Sequence, residues 1–268
     1  MKACERRRMS EQVLLKLGGS VITDKGSPGV ADHAAMESIA REIARHPLVP
    51  VLVVHGAGSF GHPEAQRYGL ARGADRSNRE GISLTHEAVG TLNQMMVRAL
   101  REAGLEAVGI HPLAGSYARA GRLESMEVRP LQNLMELGIV PVLHGDVVMD
   151  AVQGACIVSG DQMVRYLGTR LPFTRAGLVT DVPGVLSRDG SVIPCLTPEN
   201  HEMMAKAGSR HTDVTGGMEG KVKELLEMAA GGTPAEIFHI SRLGDFMDGK
   251  PHGGTTIRSV SSGWTKEH

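Results

Sequence analysis

The 268-residue chain predicts an α/β fold with a mainly parallel sheet covered by helices on both faces. Three observations carry that expectation. Apolar runs of strand length alternate along the chain with stretches of helical period. The run Val49–His55 has too many β-branched residues in succession to be half exposed, which suits a central parallel strand. Glycine-rich polar turns follow directly on several of these runs, where helices start in such folds.

Taken in order, Gln12–Leu17 reads as the first strand and ends at Gly18-Gly19-Ser20. Residues 33–45 put Met36, Ile39, Ala40 and Ile43 on one helical face. Val49–His55 follows and ends at Gly56-Ala57-Gly58. A long helix over 85–103 lines up Val89, Leu92, Met96, Ala99 and Ala103 and stops at Gly104. Next come a strand at Ala107–Ile110, a helix over 130–137 capped by Gly138, and a strand at Ile139–His144 ending in Gly145-Asp146. Ser159-Gly160-Asp161 opens a further helix, with Asp161 in the first turn where the dipole favours an acid. Leu178–Val182 is a strand, and 183–218 a loop-rich stretch expected to form a hairpin and a mobile flap. A helix over 219–229 points Val222, Leu225, Leu226 and Ala229 inward, and Ile237–Ile240 and Thr255–Arg258 close the sheet.

The length suits one large domain or two lobes sharing a sheet. Residues 1–11 are basic with no apolar stretch behind them, and read as a disordered extension before a single domain over 12–268. A net charge of -1 gives no electrostatic case for nucleic acid or an anionic membrane. An aromatic content of 3% argues against a base-stacking platform. Cys4, Cys156 and Cys195 make no CxxC pair, so neither a disulfide framework nor a cysteine zinc site is suggested, and the reducing cytoplasm is the expected setting.

The chemistry gathers at the turns. Gly18-Gly19-Ser20, Gly56-Ala57-Gly58-Ser59, Gly145-Asp146 and Gly160-Asp161 all fall at the strand ends or helix starts where ligands bind, and Gly216-Gly217 opens the helix carrying Lys221. One glycine turn is weak evidence; this many at one edge point to phosphate. Neither GxxxxGK[ST] nor a well-placed GxGxxG is present, so the P-loop and dinucleotide fingerprints do not apply. Lys16 sits inside the first strand between Leu15 and Leu17 and faces away from both; with Gly18 just after it, it reads as a phosphate-binding cation. Lys25 alone is less decisive. Lys221 near a helix start opposes the dipole unless an anion is held there. His55, His62, His144 and His211 lie near loop edges, but no ligand spacing supports a zinc site.

LLKLGGSVITDK at 14–25, VVHGAGSFGHP at 53–63, PVLHGDVV at 141–148, VSGDQ at 158–162, TDVPGV at 180–185, DVTGGMEGK at 213–221 and GTTIR at 254–258 resemble, in order, the isopentenyl phosphate kinases of the amino acid kinase superfamily. The resemblance runs from residue 12 to about 258. The glycine and DVTGG segments are shared across the superfamily; GSFGH is more specific, though a fosfomycin kinase-like branch also has its histidine. The resemblance implies a three-layer αβα sandwich, an amino-terminal acceptor lobe to about residue 175 and a carboxy-terminal ATP lobe after it. It implies transfer from ATP, with magnesium, to isopentenyl phosphate, and a homodimer. On matching positions, it implies that Lys16, Gly18, Gly19 and Ser20 hold the ATP phosphates, that Lys25 stabilises the transferring group, and that Asp161 orients the lysines. Ala57, Gly58, His62 and Gly160 line the acceptor phosphate, Gly58 also lying near ATP. Asp181, Gly216, Gly217 and Lys221 serve the nucleotide. No protein metal ligands are assigned. Ala57, where glycine is common, and Pro183, in place of the usual TDVDGV acid, are departures.

That set suits phosphoryl transfer, which needs positioning and charge stabilisation more than covalent chemistry. A phosphate monoester, with its second pKa at about 6, is already largely dianionic and attacks without a general base. Met95 and Met96 are candidate walls for an apolar tail, with plain core packing the alternative. Rival readings are a kinase of this fold for another small anion (a phosphonate, a carboxylate or a nucleoside monophosphate) and a nucleotide-binding protein without turnover.

Overall fold

The computed structural model describes residues 11–24, 26–204 and 217–259. In chain order the elements are β1 (Val13–Leu17), α1 (Gly19–Ile22), α2 (His33–Ala44), β2 (Val51–His55), α3 (Gly58–Arg67), α4 (Glu80–Glu102), β3 (Ala107–Gly109) and α5 (Pro112–Gly115). Then follow β4 (Ser116–Arg119), β5 (Arg122–Met126), α6 (Arg129–Glu136), β6 (Val140–His144), β7 (Asp146–Asp150), β8 (Gly154–Val158) and α7 (Gly160–Gly168). The last are β9 (Arg175–Thr180), β10 (Cys195–Leu196), α8 (Gly217–Ala230), β11 (Ala235–His239), α9 (Leu243–Met247) and β12 (Thr255–Ile257).

An eight-stranded sheet runs in the order β10-β12-β11-β9-β1-β2-β6-β3. Every pairing in it is parallel except β11 with β12. The alternation of side chains along β1 sorts the core into two layers. Val13, Leu15 and Leu17 pack with α2, α4 and α9 on one face, through residues such as Met36, Leu92, Met96 and Phe246. Leu14 packs on the other face with α6, α7 and α8, through Leu131, Met163, Leu167, Val222 and Met228. This is the expected three-layer αβα sandwich. Burying a leucine or valine fully is worth about 1.5–3 kcal/mol, so a fully buried β1 anchors both layers.

A second, four-stranded sheet, β5-β4-β7-β8, was not expected from the sequence. Its two faces bury different clusters: Val148 joins the main core, whereas its neighbour Val147 packs with Ala65 of α3 and with Leu70. Other differences are smaller. The long helix starts five residues earlier, at Glu80. In α8 the inward positions include Glu224 and Met228, and Leu226 is only partly buried. The expected hairpin in the loop-rich stretch is present as one antiparallel bridge, Leu186 with Val192; the expected flap falls largely outside the described residues. Residues 1–10, in the expected extension, also lie outside them. Met96 is fully buried and Met95 partly, both in the layer below α4, so core packing accounts for the pair.

Candidate active site

Connections from β1 run towards β2, and those from β9 towards β11, so the strand order reverses between the parallel neighbours β1 and β9. That crevice, beyond the carboxyl ends of the strands, is where open α/β sheets bind ligands. Gly18 N–H donates to Val179 O at 2.9 Å, holding the β1 turn against β9. Ser20 Oγ donates to Asp181 Oδ1 at 3.2 Å across the same gap. A cleft of about 580 Å³ opens here, lined by Ser20, Thr23 and Asp181 among others.

Two turns touch through bare backbone. A Cβ on Gly19 would lie 2.5 Å from Gly58 N, and one on Gly56 would lie 2.8 Å from Gly19 N, distances no side chain tolerates. Gly58 also has φ +52, a left-handed conformation that favours glycine. Ala57 sits at φ -70, so its replacement of glycine is unstrained. Thr23 knits the turns together: its Oγ1 donates to Gly19 O at 2.8 Å and accepts from Ser59 N–H at 3.1 Å. Nothing in the spacing marked Thr23 for this role.

Lys16 lies on the face of β1 that looks towards α7, as period two requires. It is 5% exposed, and its Nζ is 2.9 Å from Asp161 Oδ1 in the first turn of α7. Ser159 caps that helix by accepting from Gln162 N–H. A Cβ on Gly160 would rest 3.5 Å from Lys16 Cε, an ordinary van der Waals contact, so this turn packs closely on the lysine stem. Gly145 backs the same turn, with its Cβ position 3.2 Å from Gly160 N. His62 is partly exposed on α3, a turn beyond Gly58. Gly217 opens α8 with φ +60, and Lys221 Nζ approaches Gly217 O at 3.4 Å. Lys25 and Gly216 lie outside the described residues. The turn carrying Pro183 is closed by Thr180 Oγ1, which donates to Val182 O at 2.8 Å.

Behind the turns after β2 and β6 lies a histidine cluster that residue spacing did not reveal. His55 and His144, paired across β2 and β6, stack at 5.6 Å. His55 Nδ1 donates to Gly56 O at 2.9 Å, and its Nε2 accepts from Asn93 Nδ2 at 3.2 Å. His144 Nδ1 donates to Gly145 O, and its Nε2 accepts from His111 Nδ1 at 3.0 Å. Burial pushes both imidazoles down, His55 to about 4 and His144, with His55 beside it, to about 3. His86 moves the other way: its hydrogen bond to the buried Asp146 carboxylate, at 2.9 Å, raises it. Asp146 also accepts from Val147 N–H and Leu113 N–H. Among the described residues no group of three or more His, Cys, Asp or Glu is arranged to hold a metal ion.

A buried lysine–carboxylate pair at a helix start, with turns that only glycine can build at the same sheet edge, is an arrangement suited to phosphate in an αβα protein. The model of the amino acid kinase family matches residues 11–239. The isopentenyl phosphate kinase of Haloferax volcanii is 42% identical over 249 residues, covering 92% of this chain and 98% of its own. That of Methanothermobacter thermautotrophicus is 37% identical and covers 87% and 92%. A solved isopentenyl phosphate kinase superposes with a TM-score of 0.81 at 34% identity, covering 92% of this chain and all of that one. The Giardia lamblia carbamate kinase, at 16% identity and a TM-score of 0.69, shares the fold. The chain belongs to the amino acid kinase family, in its isopentenyl phosphate kinase branch.

Proposed function

We propose that this protein transfers the terminal phosphoryl group of ATP to isopentenyl phosphate, giving isopentenyl diphosphate and ADP. The observation that carries the reading is the Lys16–Asp161 pair set at 2.9 Å beside the touching glycine turns. A phosphate oxygen of the acceptor attacks the γ-phosphorus, the bond to the bridging oxygen breaks, and ADP leaves. No proton need move, because the acceptor is already a dianion. Lys16, oriented by Asp161, and Lys25 offset the charge on the transferring group. Backbone N–H groups of Gly18, Gly19 and Ser20 hold the triphosphate. Ala57, Gly58, His62 and Gly160 hold the acceptor phosphate, His62 as a hydrogen-bond donor. Asp181, Gly216, Gly217 and Lys221 serve the nucleotide.

Magnesium fits as an ion carried in on the triphosphate, because Mg²⁺ is commonly held by phosphate oxygens with few protein ligands. Bound there, it neutralises charge on the phosphate oxygens. The residues to about 175 form the acceptor lobe in this reading, and those after it the ATP lobe. A homodimer and a cytoplasmic setting complete it. Cys156 and Cys195 are both free thiols, and no helix among the described residues is long and apolar enough to cross a membrane. Acceptor-dependent ADP release with isopentenyl phosphate, dimethylallyl phosphate and fosfomycin tests the reaction. The first is expected to give the highest kcat/KM. Preference for fosfomycin, or no acceptor-dependent release, would overturn it.

A further inference from the structure

Glu224 is a buried carboxylate outside the phosphate cradle, 7% exposed on the inward side of α8. Two guanidinium groups converge on it. Arg165 Nε donates to its Oε2 at 2.7 Å, and Arg122 grips both oxygens, with Nη2 to Oε2 at 3.0 Å and Nη1 to Oε1. Glu227, one turn on, stands 3.6 Å from Arg165 and 3.7 Å from Arg122.

The three anchors come from separate parts of the chain. Arg165 lies on α7, one turn after Asp161. Arg122 opens β5, and the turn before it is fixed by Asp150, which accepts from Ala120 N–H at 3.1 Å and Gly121 N–H at 2.8 Å. The same hairpin is docked on α7 by Gln162, next to Asp161, which donates to Gly121 O and accepts from Leu123 N–H, each at 3.1 Å. One turn further, Tyr166 OH accepts from Met126 N–H at 2.9 Å. Hairpin and α7 therefore form one hydrogen-bonded body, and Glu224 is the point at which α8 is fastened to it. Lys221 precedes Glu224 by three residues, less than one helical turn.

A buried ion pair is a poor source of net stability, because desolvating the charges offsets their attraction; its better-attested use is to fix register. Apolar packing, with Met228 seated against Gly168, sets α8 close on α7, and the ion pair adds a directional constraint to that fit. A carboxylate held by the fork of Arg122 and by Arg165 Nε fixes that fit to one geometry. We propose that Glu224, clamped by Arg165 and Arg122, is a positioning residue that sets α8, and with it Lys221, in register with Asp161 and Lys16. The proposal rests on the assignment of Lys221 to the nucleotide.

The test measures Kd for a non-hydrolysable ATP analogue, and KM for ATP and for isopentenyl phosphate, in Glu224→Gln, Lys221→Ala and the double variant. Glu224→Gln keeps the shape and removes the charge. It is expected to weaken analogue binding and raise the KM for ATP roughly tenfold, while the KM for the acceptor stays within about twofold. In the Lys221→Ala background it should add nothing, because the residue through which it acts is gone. Arg165→Lys, which keeps the charge and loses the Nε donor, is the companion if Glu224→Gln folds poorly, and should give the same split. Nucleotide constants within about twofold of wild type, with only the melting temperature lowered, would overturn the clamp. Equal effects on both substrates would overturn it too. If Lys221→Ala binds the analogue as wild type does, the assignment of Lys221 fails and the route through it with it; the acceptor assay stands apart from that outcome.

Discussion

Two buried polar clusters lie within a few residues of each other at the same sheet edge, and they are built on opposite principles. Lys16 and Asp161 form an ion pair, 2.9 Å apart, at the start of α7. His55 and His144 are neutral rings packed face to face, with each ring nitrogen engaged by a carbonyl, an amide or another ring. In the proposed reaction the first cluster keeps charge where the phosphates meet. The second satisfies its ring nitrogens among its own members and the backbone. Proximity to the site does not make a titratable group part of the chemistry; what separates the two is that one is an ion pair and the other a closed set of hydrogen-bonded rings.

The sharpest way to break this contrast is to remove one member from each. Lys16→Met is expected to lower kcat by roughly 10²- to 10³-fold, the loss typical of a donor aimed at transition-state charge. It also removes Asp161's partner in a buried pair, a change that costs about 3–5 kcal/mol. Lys16→Arg, which keeps the charge and alters the reach, is therefore the companion: turnover should fall steeply in a protein that stays folded. His144→Gln should leave kcat within a few-fold of wild type. Similar kinetic losses from Lys16→Arg and His144→Gln would erase the distinction.

His62 sharpens the comparison, since the proposed reaction puts this histidine with the first cluster. It is partly exposed on the helix that Gly58 begins. A hydrogen bond to a charged group is worth about 1.5–3 kcal/mol, so His62→Ala should cost about 10- to 100-fold in kcat/KM for the acceptor. The KM for ATP should move far less. Unchanged acceptor kinetics would remove His62 from the site.

The charged cluster was readable in the sequence, and the neutral one was not, for a physical reason. A lysine inside an apolar strand, followed at once by glycines, is a local contradiction that a packed core does not tolerate without purpose. The histidine cluster is assembled from β2, β6, α4 and the residue before α5, so no window of sequence contains it. The four-stranded sheet escaped notice for a related reason. SYAR and RLESM are short, of mixed polarity and only partly buried, and pairing rather than pattern makes them strands. Helix α3 contains Pro63 and two glycines, a poor helix by propensity, and is held by packing on α4, where Gly61 lets Val89 approach. Glu224 stands next to Leu225 and between lysine and glutamate positions, so it reads as part of a solvated face until Arg122 and Arg165 are placed on it.

The neutral cluster should report itself in stability against pH. In the unfolded chain each imidazole takes up a proton near 6.5; in the folded protein burial delays this to about 4 for His55 and about 3 for His144. Between about 6.5 and 4 the unfolded state therefore binds more protons, and stability falls as the pH falls, by up to about 1.4 kcal/mol per pH unit for each ring. His86 has the opposite sign. Its raised value means its contribution is complete below 6.5 and is lost as the pH rises through the folded value. Denaturant unfolding of wild type and His144→Gln between pH 7.5 and 5 measures the difference. The variant, less stable at pH 7.5, should show about half the acid slope from these two rings, so the curves converge as pH falls. Parallel curves would mean that His144 does not hold out against protonation, and the contrast between a charged and a neutral cluster would lose its second half.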